Sequence, residues 1–466
     1  MEINLVILFI LGVAVQTHAL TTQVPLNCDV EDGPLFLSPY IASNNIEEAR
    51  RKSRVNCLPG GDNVESYSGY ITVDTPSCGS NLFFWFFPAA ENPQTAPVLM
   101  WLNGGPGRSS MYGAIFENGP LQLKDKTKLA TTVLTERPVN WAGAFSMLYV
   151  DNPVGTGFSV TTGNCYAQNT EDVSRNLYSF MVQFYQMFPE YASLEFYVGG
   201  QSYAGKYVPA FAYFIHHQNL NEQRTVHIPL AGVYLGGGFC DPPSMLSALP
   251  DYLYSVGMYS KHSRDAHRQK IEEGLAKPNH NPFYPEDKDG YEYISYYFEY
   301  MYSKTGYASF DNILQDKVQL DEFSLPEFFN RTDVVRALHA QHHFSQNFLT
   351  VVMRFGNDFM KSTKLEMGFL MDHYKVLYYT GSLDVVANIN MAEAFLLSTP
   401  WSGREAYGTM DRILWKYDKQ LAGYVTKVNN FTRVIVRNAG HDVPHDQPEW
   451  TLAMMKNFIS DISWSR

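Results

Sequence analysis

The chain has 466 residues, 45% of them apolar and 18% charged, with a formal net charge of −12. That length and composition describe a globular protein with a large buried core and exclude a disordered one. The acidic balance excludes a nucleic-acid binder, which needs clustered Lys and Arg to meet phosphate.

Residues 3–15 form an apolar run too short to span a bilayer, followed by polar Gln16 and Thr17 and by small Ala19. Residues 1–19 are therefore read as a secretory signal peptide, with Met1 and Glu2 standing where a basic n-region is usual. No later run reaches membrane-spanning length, so no membrane anchor is expected. The expected location is secreted, with a lysosomal or vacuolar lumen as the alternative. Five cysteines, Cys28, Cys57, Cys78, Cys165 and Cys240, then sit in an oxidising compartment. An odd count leaves at least one unpaired within the monomer, and the pairing cannot be read from spacing. Asn330-Arg331-Thr332 and Asn430-Phe431-Thr432 make Asn330 and Asn430 candidate glycosylation sites.

Short apolar strands are predicted at residues 98–102, 147–150, 196–198, 232–235, 376–379 and 434–436, each ending in a Gly, Asn or Asp turn. Continuous hydrophobic runs of this kind are strands buried on both faces of a mainly parallel sheet. Helical patterns at residues 170–187 and 208–218 lie between them. The fold class is α/β.

Between residues 241 and 350 this rhythm is lost. The segment holds helical patterns at 260–274 and 332–343, a Pro-, Asn- and acid-rich loop at 277–290, and a Tyr-rich run at 291–302. It reads as a cap inserted between two parts of one core, residues 20–240 and 351–466. His339, His342 and His343 fall at helical spacing but lack the further ligands of a zinc site. Asp287-Lys288-Asp289-Gly290 lacks the ligand spacing of a calcium loop. No metal and no cofactor are expected.

The sequence GGQSYAGKY, residues 199–207, places Ser202 on a sharp turn between a strand and a helix. Such an elbow projects the hydroxyl beyond the sheet, while the N–H of the next residue, Tyr203, faces a developing oxyanion. A serine nucleophile needs a base, and the base an orienting acid. Asp384, after a strand and Gly381, and His441, after a strand and Gly440, meet that need at strand carboxyl ends, where open α/β sheets build their sites. The order Ser, Asp, His is that of α/β-hydrolases. The loop Asn103-Gly104-Gly105-Pro106-Gly107, directly after the strand at 98–102, can supply a second oxyanion N–H.

WLNGGPGRSS, DNPVGTGFS, GGQSYAGKYVPA, GSLDVV and GHDVPHDQP together resemble the serine carboxypeptidase family. PLFLSPYIASNNIEEAR and NLFFWFFPA are similar to its vitellogenic-like branch. The resemblance implies an α/β-hydrolase fold with an inserted cap, and an exopeptidase acting on peptide or protein C-termini through an acyl-enzyme. It further implies Ser202 as nucleophile, His441 as general base and then acid, Asp384 as orienting carboxylate, and the amides of Gly105 and Tyr203 as oxyanion hole. Trp101, Asn103, Gly104, Glu117 and Gln201 would hold the substrate's terminal carboxylate.

Gln201 stands where the family has a second glutamate. Two close carboxyls share a proton, which ties carboxylate binding to acidic pH, whereas an amide donates at any pH. A pH profile extended toward neutrality and governed by His441 is therefore expected. Ala204 replaces the last glycine of the elbow, Arg108 a common cysteine, Gly237 a common Asn or Asp, and Asp442 a common Met. The missing cysteine implies that a disulfide usual between that loop and the cap is absent, and Asp442 favours a protonated His441. A carboxypeptidase-like esterase or acyltransferase, and a secreted binding or carrier protein on a disabled scaffold, are the alternatives.

Overall fold

The computed structural model describes residues 32–73, 78–276, 300–317, 321–344 and 347–464. The signal peptide, Cys28, the loop at 277–290 and the Tyr-rich run up to 299 lie outside them. Among the described residues twelve strands form, and their lengths follow from which faces are buried. They are β1 (Tyr67–Thr72), β2 (Asn81–Phe87), β3 (Val98–Leu102), β4 (Leu121–Leu123), β5 (Leu134–Glu136), β6 (Ser146–Val150), β7 (Phe196–Gln201), β8 (Leu230–Gly236), β9 (Lys375–Gly381), β10 (Ile413–Tyr417), β11 (Gln420–Val428) and β12 (Phe431–Val436).

The chain folds as two compact units. The first holds the described residues between 32 and 234 and those between 321 and 352; the second holds those between 235 and 317 and between 353 and 464. Strand β8 carries the chain from one to the other. The segment 241–350, read as one cap, is thus shared between the units.

In the first unit the strand order is β1-β2-β6-β3-β7. β3 lies parallel to β6 and β7, while β1 and β2 add antiparallel pairs at one side. Every residue of β2, β3, β6 and β7 is buried, which is why their sequences show no alternation. The β3–β7 register sets Leu102 opposite Gly200, so the chain leaving β3 and the chain leaving β7 emerge at one edge. The helix Thr170–Met187 is started by Asn169, whose side chain accepts the Asp172 N–H at 2.9 Å. It buries Val173, Leu177, Phe180, Met181 and Phe184 at helical spacing and packs on the helix Ala204–Asn219.

In the second unit the order is β9-β12-β11-β10, with β9 and β12 parallel and the others antiparallel. Gly381 at the end of β9 lies opposite Val436 at the end of β12, so the loops that follow leave side by side. The helices Pro242–Ser255 and Ile389–Ser398 pack together.

All six predicted strands form, most of them extended at one or both ends. The helix expected over 332–343 is corrected: it runs only over Thr332–Ala337. The Leu338 carbonyl accepts the Ser68 hydroxyl at 2.8 Å and the His339 carbonyl accepts the Leu35 N–H at 3.1 Å, so tertiary bonds replace the next helical turn. His339 adopts a positive φ of 54° and is buried, whereas His342 and His343 are exposed; the three do not share a helix face.

Candidate active site

Ser202 directly follows β7 with φ of 59°, the left-handed backbone of a nucleophile elbow. The Gly205 N–H bonds the Ser202 carbonyl and the Lys206 N–H the Tyr203 carbonyl, both at 2.9 Å, so the helix begins on the elbow and turns its positive end toward Ser202. A Cβ on Gly200 would lie 1.9 Å from the Leu102 carbonyl oxygen and 2.9 Å from the Ala204 Cβ. Alanine at 204 is therefore accommodated by the absence of a side chain at 200. A Cβ on Gly104 would lie 2.4 Å from the Tyr203 nitrogen and 2.8 Å from the Ser202 Cβ. The glycine loop and the elbow thus touch through backbone, the arrangement an oxyanion hole needs. Gly105, exposed with φ of 108°, follows in a turn closed by the Arg108 N–H on the Gly104 carbonyl at 3.1 Å.

Beneath this loop lies a fully buried polar network. Asn103 Oδ1 accepts from Trp101 Nε1 at 2.8 Å and from the Gly113 N–H at 3.1 Å. With Oδ1 filled by two donors, the amide orientation is settled, and Nδ2 donates to Glu117 Oε1 at 2.9 Å. Glu117, 0% exposed, closes a π-helical turn, Gly113–Glu117. That turn is fastened by the Arg137 guanidinium, which donates to the carbonyls of Ile115, Gly119 and Leu121. Gln201, 1% exposed, is the last residue of β7. All seven residues expected for the oxyanion hole and the carboxylate site lie in this first unit.

One residue without an assigned role proves central to it. Asp151, buried at the end of β6, accepts the Ser109 hydroxyl at 2.6 Å and the Ser110 N–H at 2.9 Å on one oxygen, and the Phe158 N–H at 2.8 Å on the other. Ser110 Oγ in turn accepts the Asn103 N–H at 3.2 Å. Burial pushes the Asp151 carboxyl up to about 6, against the stabilising pull of these donors. The aspartate that opens DNPVGTGFS was the available signal.

The second unit holds Asp384 and His441. His441 Nδ1 lies 2.9 Å from Asp384 Oδ2, and Asp384 Oδ1 accepts the Ala387 N–H at 2.9 Å. Both are buried, at 3% and 1% exposure. Burial alone would lower the imidazole pKa. The carboxylates of Asp384, Asp311 and Asp442 outweigh it and raise the pKa to about 9. Gly237 lies against the pair, where an added Cβ would stand 3.0 Å from Asp384 Oδ2 and 3.2 Å from the His441 ring.

The two sequons differ. Asn330 spends its amide internally, Nδ2 on the Pro326 carbonyl at 2.8 Å and Oδ1 on the Phe344 N–H at 3.0 Å. Asn430 is exposed at the turn between β11 and β12. Cys78 and Cys165 form a disulfide, Cys57 is disulfide-bonded too, and Cys240 is a buried cysteine outside these disulfides. No helix among the described residues is long and apolar enough to cross a membrane.

A serine on a strand-to-helix elbow and a buried Asp–His pair, each beyond the carboxyl ends of parallel strands flanked by helices, are the parts of an α/β-hydrolase. The crystal structure of Kex1, a prohormone-processing carboxypeptidase from Saccharomyces cerevisiae, has this fold: TM-score 0.76 at 21% identity, covering 88% of this chain and 96% of that one. The serine carboxypeptidase family model matches residues 59–461, and the chain belongs to that family. It is 39% identical to a probable serine carboxypeptidase, CPVL, of Rattus norvegicus, over 92% of this chain and 90% of the relative. It is 38% identical to the venom serine carboxypeptidase of Apis mellifera (91% and 90% covered) and 36% identical to the vitellogenic carboxypeptidase of Aedes aegypti (91% and 89%).

Proposed function

We propose that this protein is a serine-type carboxypeptidase that removes the carboxy-terminal residue of peptides through an acyl-enzyme on Ser202. His441 Nε2 takes the hydroxyl proton as Ser202 Oγ attacks the scissile carbonyl, and the amides of Tyr203 and Gly105 meet the oxyanion. Collapse of the tetrahedral intermediate breaks the C–N bond, and His441 returns the proton to the departing amino group. Water, deprotonated by His441, then attacks the ester and frees Ser202.

The observation that carries the exopeptidase reading is the buried Trp101–Asn103–Glu117 network under the Gly104 loop. A simple esterase has no use for an oriented amide beside its elbow. Here one Asn103 amide proton is committed to Glu117, leaving the second for a substrate carboxylate, alongside the Gly104 N–H and the Gln201 amide. The test is an amino-blocked dipeptide offered with a free or an amidated C-terminus, together with a simple ester. Release of the free amino acid from the first, and far slower turnover of the amide, is expected, with Ser202 labelled by an organophosphorus reagent. Turnover of the ester alone would favour the esterase reading.

Gln201 donates at every pH, so the KM for a carboxylate-ended peptide is expected to stay flat between acidic and neutral pH. In Gln201→Glu, the new carboxyl shares a proton with Glu117 and loses its donor as pH rises, and KM is expected to climb about tenfold per unit above the pair's pKa. Superimposable KM–pH curves for the two forms would sink this account. The kcat of both should rise with pH as His441 loses its proton, since the base works only when neutral; in the parent kcat/KM rises with it, whereas in Gln201→Glu the climbing KM offsets the rise.

We place the protein in a secretory or lysosomal lumen, a reading supported by the Cys78–Cys165 disulfide and the apolar amino-terminal run. Asn430 is the acceptor we assign to a glycan, because it is exposed and its turn is open. Removal of the sequon by Asn430→Gln is expected to shift the mass of the secreted protein by one glycan. Asn330→Gln should leave the mass pattern unchanged and lower the melting temperature through the lost Pro326 and Phe344 bonds.

A further inference from the structure

Two loops carry the acid and the base, and a third segment, outside both motifs, is bonded to each. Residues 309–313, Ser309-Phe310-Asp311-Asn312-Ile313, come from the part of the chain that precedes residue 317 in the second unit. The Phe310 carbonyl accepts the Val385 N–H at 3.2 Å, and the Ile313 N–H donates to the Leu383 carbonyl at 2.9 Å, so the segment grips the backbone on both sides of Asp384. The Asp311 carbonyl accepts the backbone N–H of His441 at 2.6 Å. Asn312 Nδ2 reaches Asp446 Oδ2 at 3.2 Å, and the same oxygen takes the Gly440 N–H at 2.7 Å. A Cβ at position 440 would lie 2.3 Å from the Asp311 carbonyl oxygen and 2.8 Å from the Asn312 Cβ, so the contact leaves no slack. The Asp311 side chain is itself held, one carboxylate oxygen accepting the Ser309 hydroxyl at 2.9 Å.

We propose that residues 310–313 form a clamp that sets the spacing of Asp384 and His441, with Asp311 as the positioning residue of the imidazole. The proposal rests on His441 being the general base. The pairing of β9 with β12 fixes the loops only up to Gly381 and Val436, and both catalytic side chains lie beyond that point. A productive hydrogen bond has to be held within about 0.5 Å, which flexible loop ends do not achieve unaided. The clamp supplies the missing constraint through backbone groups of both loops at once. It also brings a charge. The groups facing His441 within this unit are Asp384 from the loop after β9, Asp311 from the clamp and Asp442 from its own loop; behind Gly440 stands Asp446, paired with His445, and Tyr252 feels the charge of Asp384. Of the three carboxylates that raise the His441 pKa, Asp311 is the one contributed by a segment outside the triad motifs.

Asp311→Asn keeps the carbonyl, the size and an acceptor for Ser309 while removing the charge. In an inactive Ser202→Ala background, the low-field proton resonance of the His441–Asp384 hydrogen bond is expected to titrate about half a pH unit lower than in the parent. In the active enzyme the rising limb of kcat/KM should move down by the same amount, with KM unchanged. Asn312→Ala, which cuts the bridge to Asp446, is expected to lower kcat about tenfold, again at constant KM, and to broaden that resonance. If both variants leave the resonance and its titration as in the parent, or if KM moves while the resonance does not, the clamp is overturned. The resonance reads His441 without turnover, so a protein inactive on peptides would overturn the peptidase reading and leave this test intact.

Discussion

Ser202→Ala is expected to lower kcat on dipeptides by on the order of 10⁵-fold and to abolish labelling by an organophosphorus reagent. Without Oγ there is no acyl-enzyme, and the remaining catalysis comes from the oxyanion amides and substrate positioning, which in serine hydrolases leaves only a small residue of the rate. The fold should not suffer. Alanine at φ of 59° carries a strain similar to that of serine, on the order of 1 kcal/mol, so the melting temperature is expected to stay within a few degrees of the parent. Product inhibition by free amino acids should also survive, because the carboxylate site proposed on Asn103, Gly104 and Gln201 does not include Ser202. A variant retaining a tenth of parental kcat would remove Ser202 from the mechanism.

Asp384→Asn is expected to cost about 10⁴-fold in kcat, by a tautomer error rather than a structural one. The Ala387 N–H already donates to one oxygen of Asp384 at 2.9 Å, so the asparagine would keep its carbonyl oxygen there and turn its NH₂ toward His441. An NH₂ facing Nδ1 makes that nitrogen an acceptor and moves the ring proton to Nε2, the atom that has to accept from Ser202. The same change removes the carboxylate that does most to hold the imidazole pKa high, so the low-field resonance should vanish and the ring should titrate well below about 9. The measurement is kcat from pH 5 to 10 beside the proton spectrum. A loss under tenfold, with the resonance retained, would show that Asp384 does not orient the base.

Local sequence carried much of the site. Ser202, Asp384 and His441 each follow an apolar strand and a glycine, a pattern visible without any tertiary information, and Asp384 and His441 lie 2.9 Å apart. Strands buried on both faces were legible where a turn followed at once, as at 98–102. NLFFWFF was not, since a fully buried antiparallel strand shows neither alternation nor a closing glycine.

The residues that support the site were hidden for a different reason. Asp311 has no local signature: it matters through a carbonyl that meets His441 130 positions later in the chain, a contact made by backbone that any residue type supplies. Asp151 was quoted within a motif yet had no role until burial brought Ser109, Ser110 and Phe158 onto one carboxylate. The helix at 332 stops at Ala337 because Ser68 and Leu35, some 270 and 304 positions away, take the next carbonyls. By itself the sequence determined which groups are candidates for the chemistry of this protein, because hydroxyl, imidazole, carboxylate and amide are side-chain identities. Only the tertiary structure decided how the groups are oriented, charged and held, because hydrogen bonds, desolvation and close backbone contacts exist only between segments that folding has brought together.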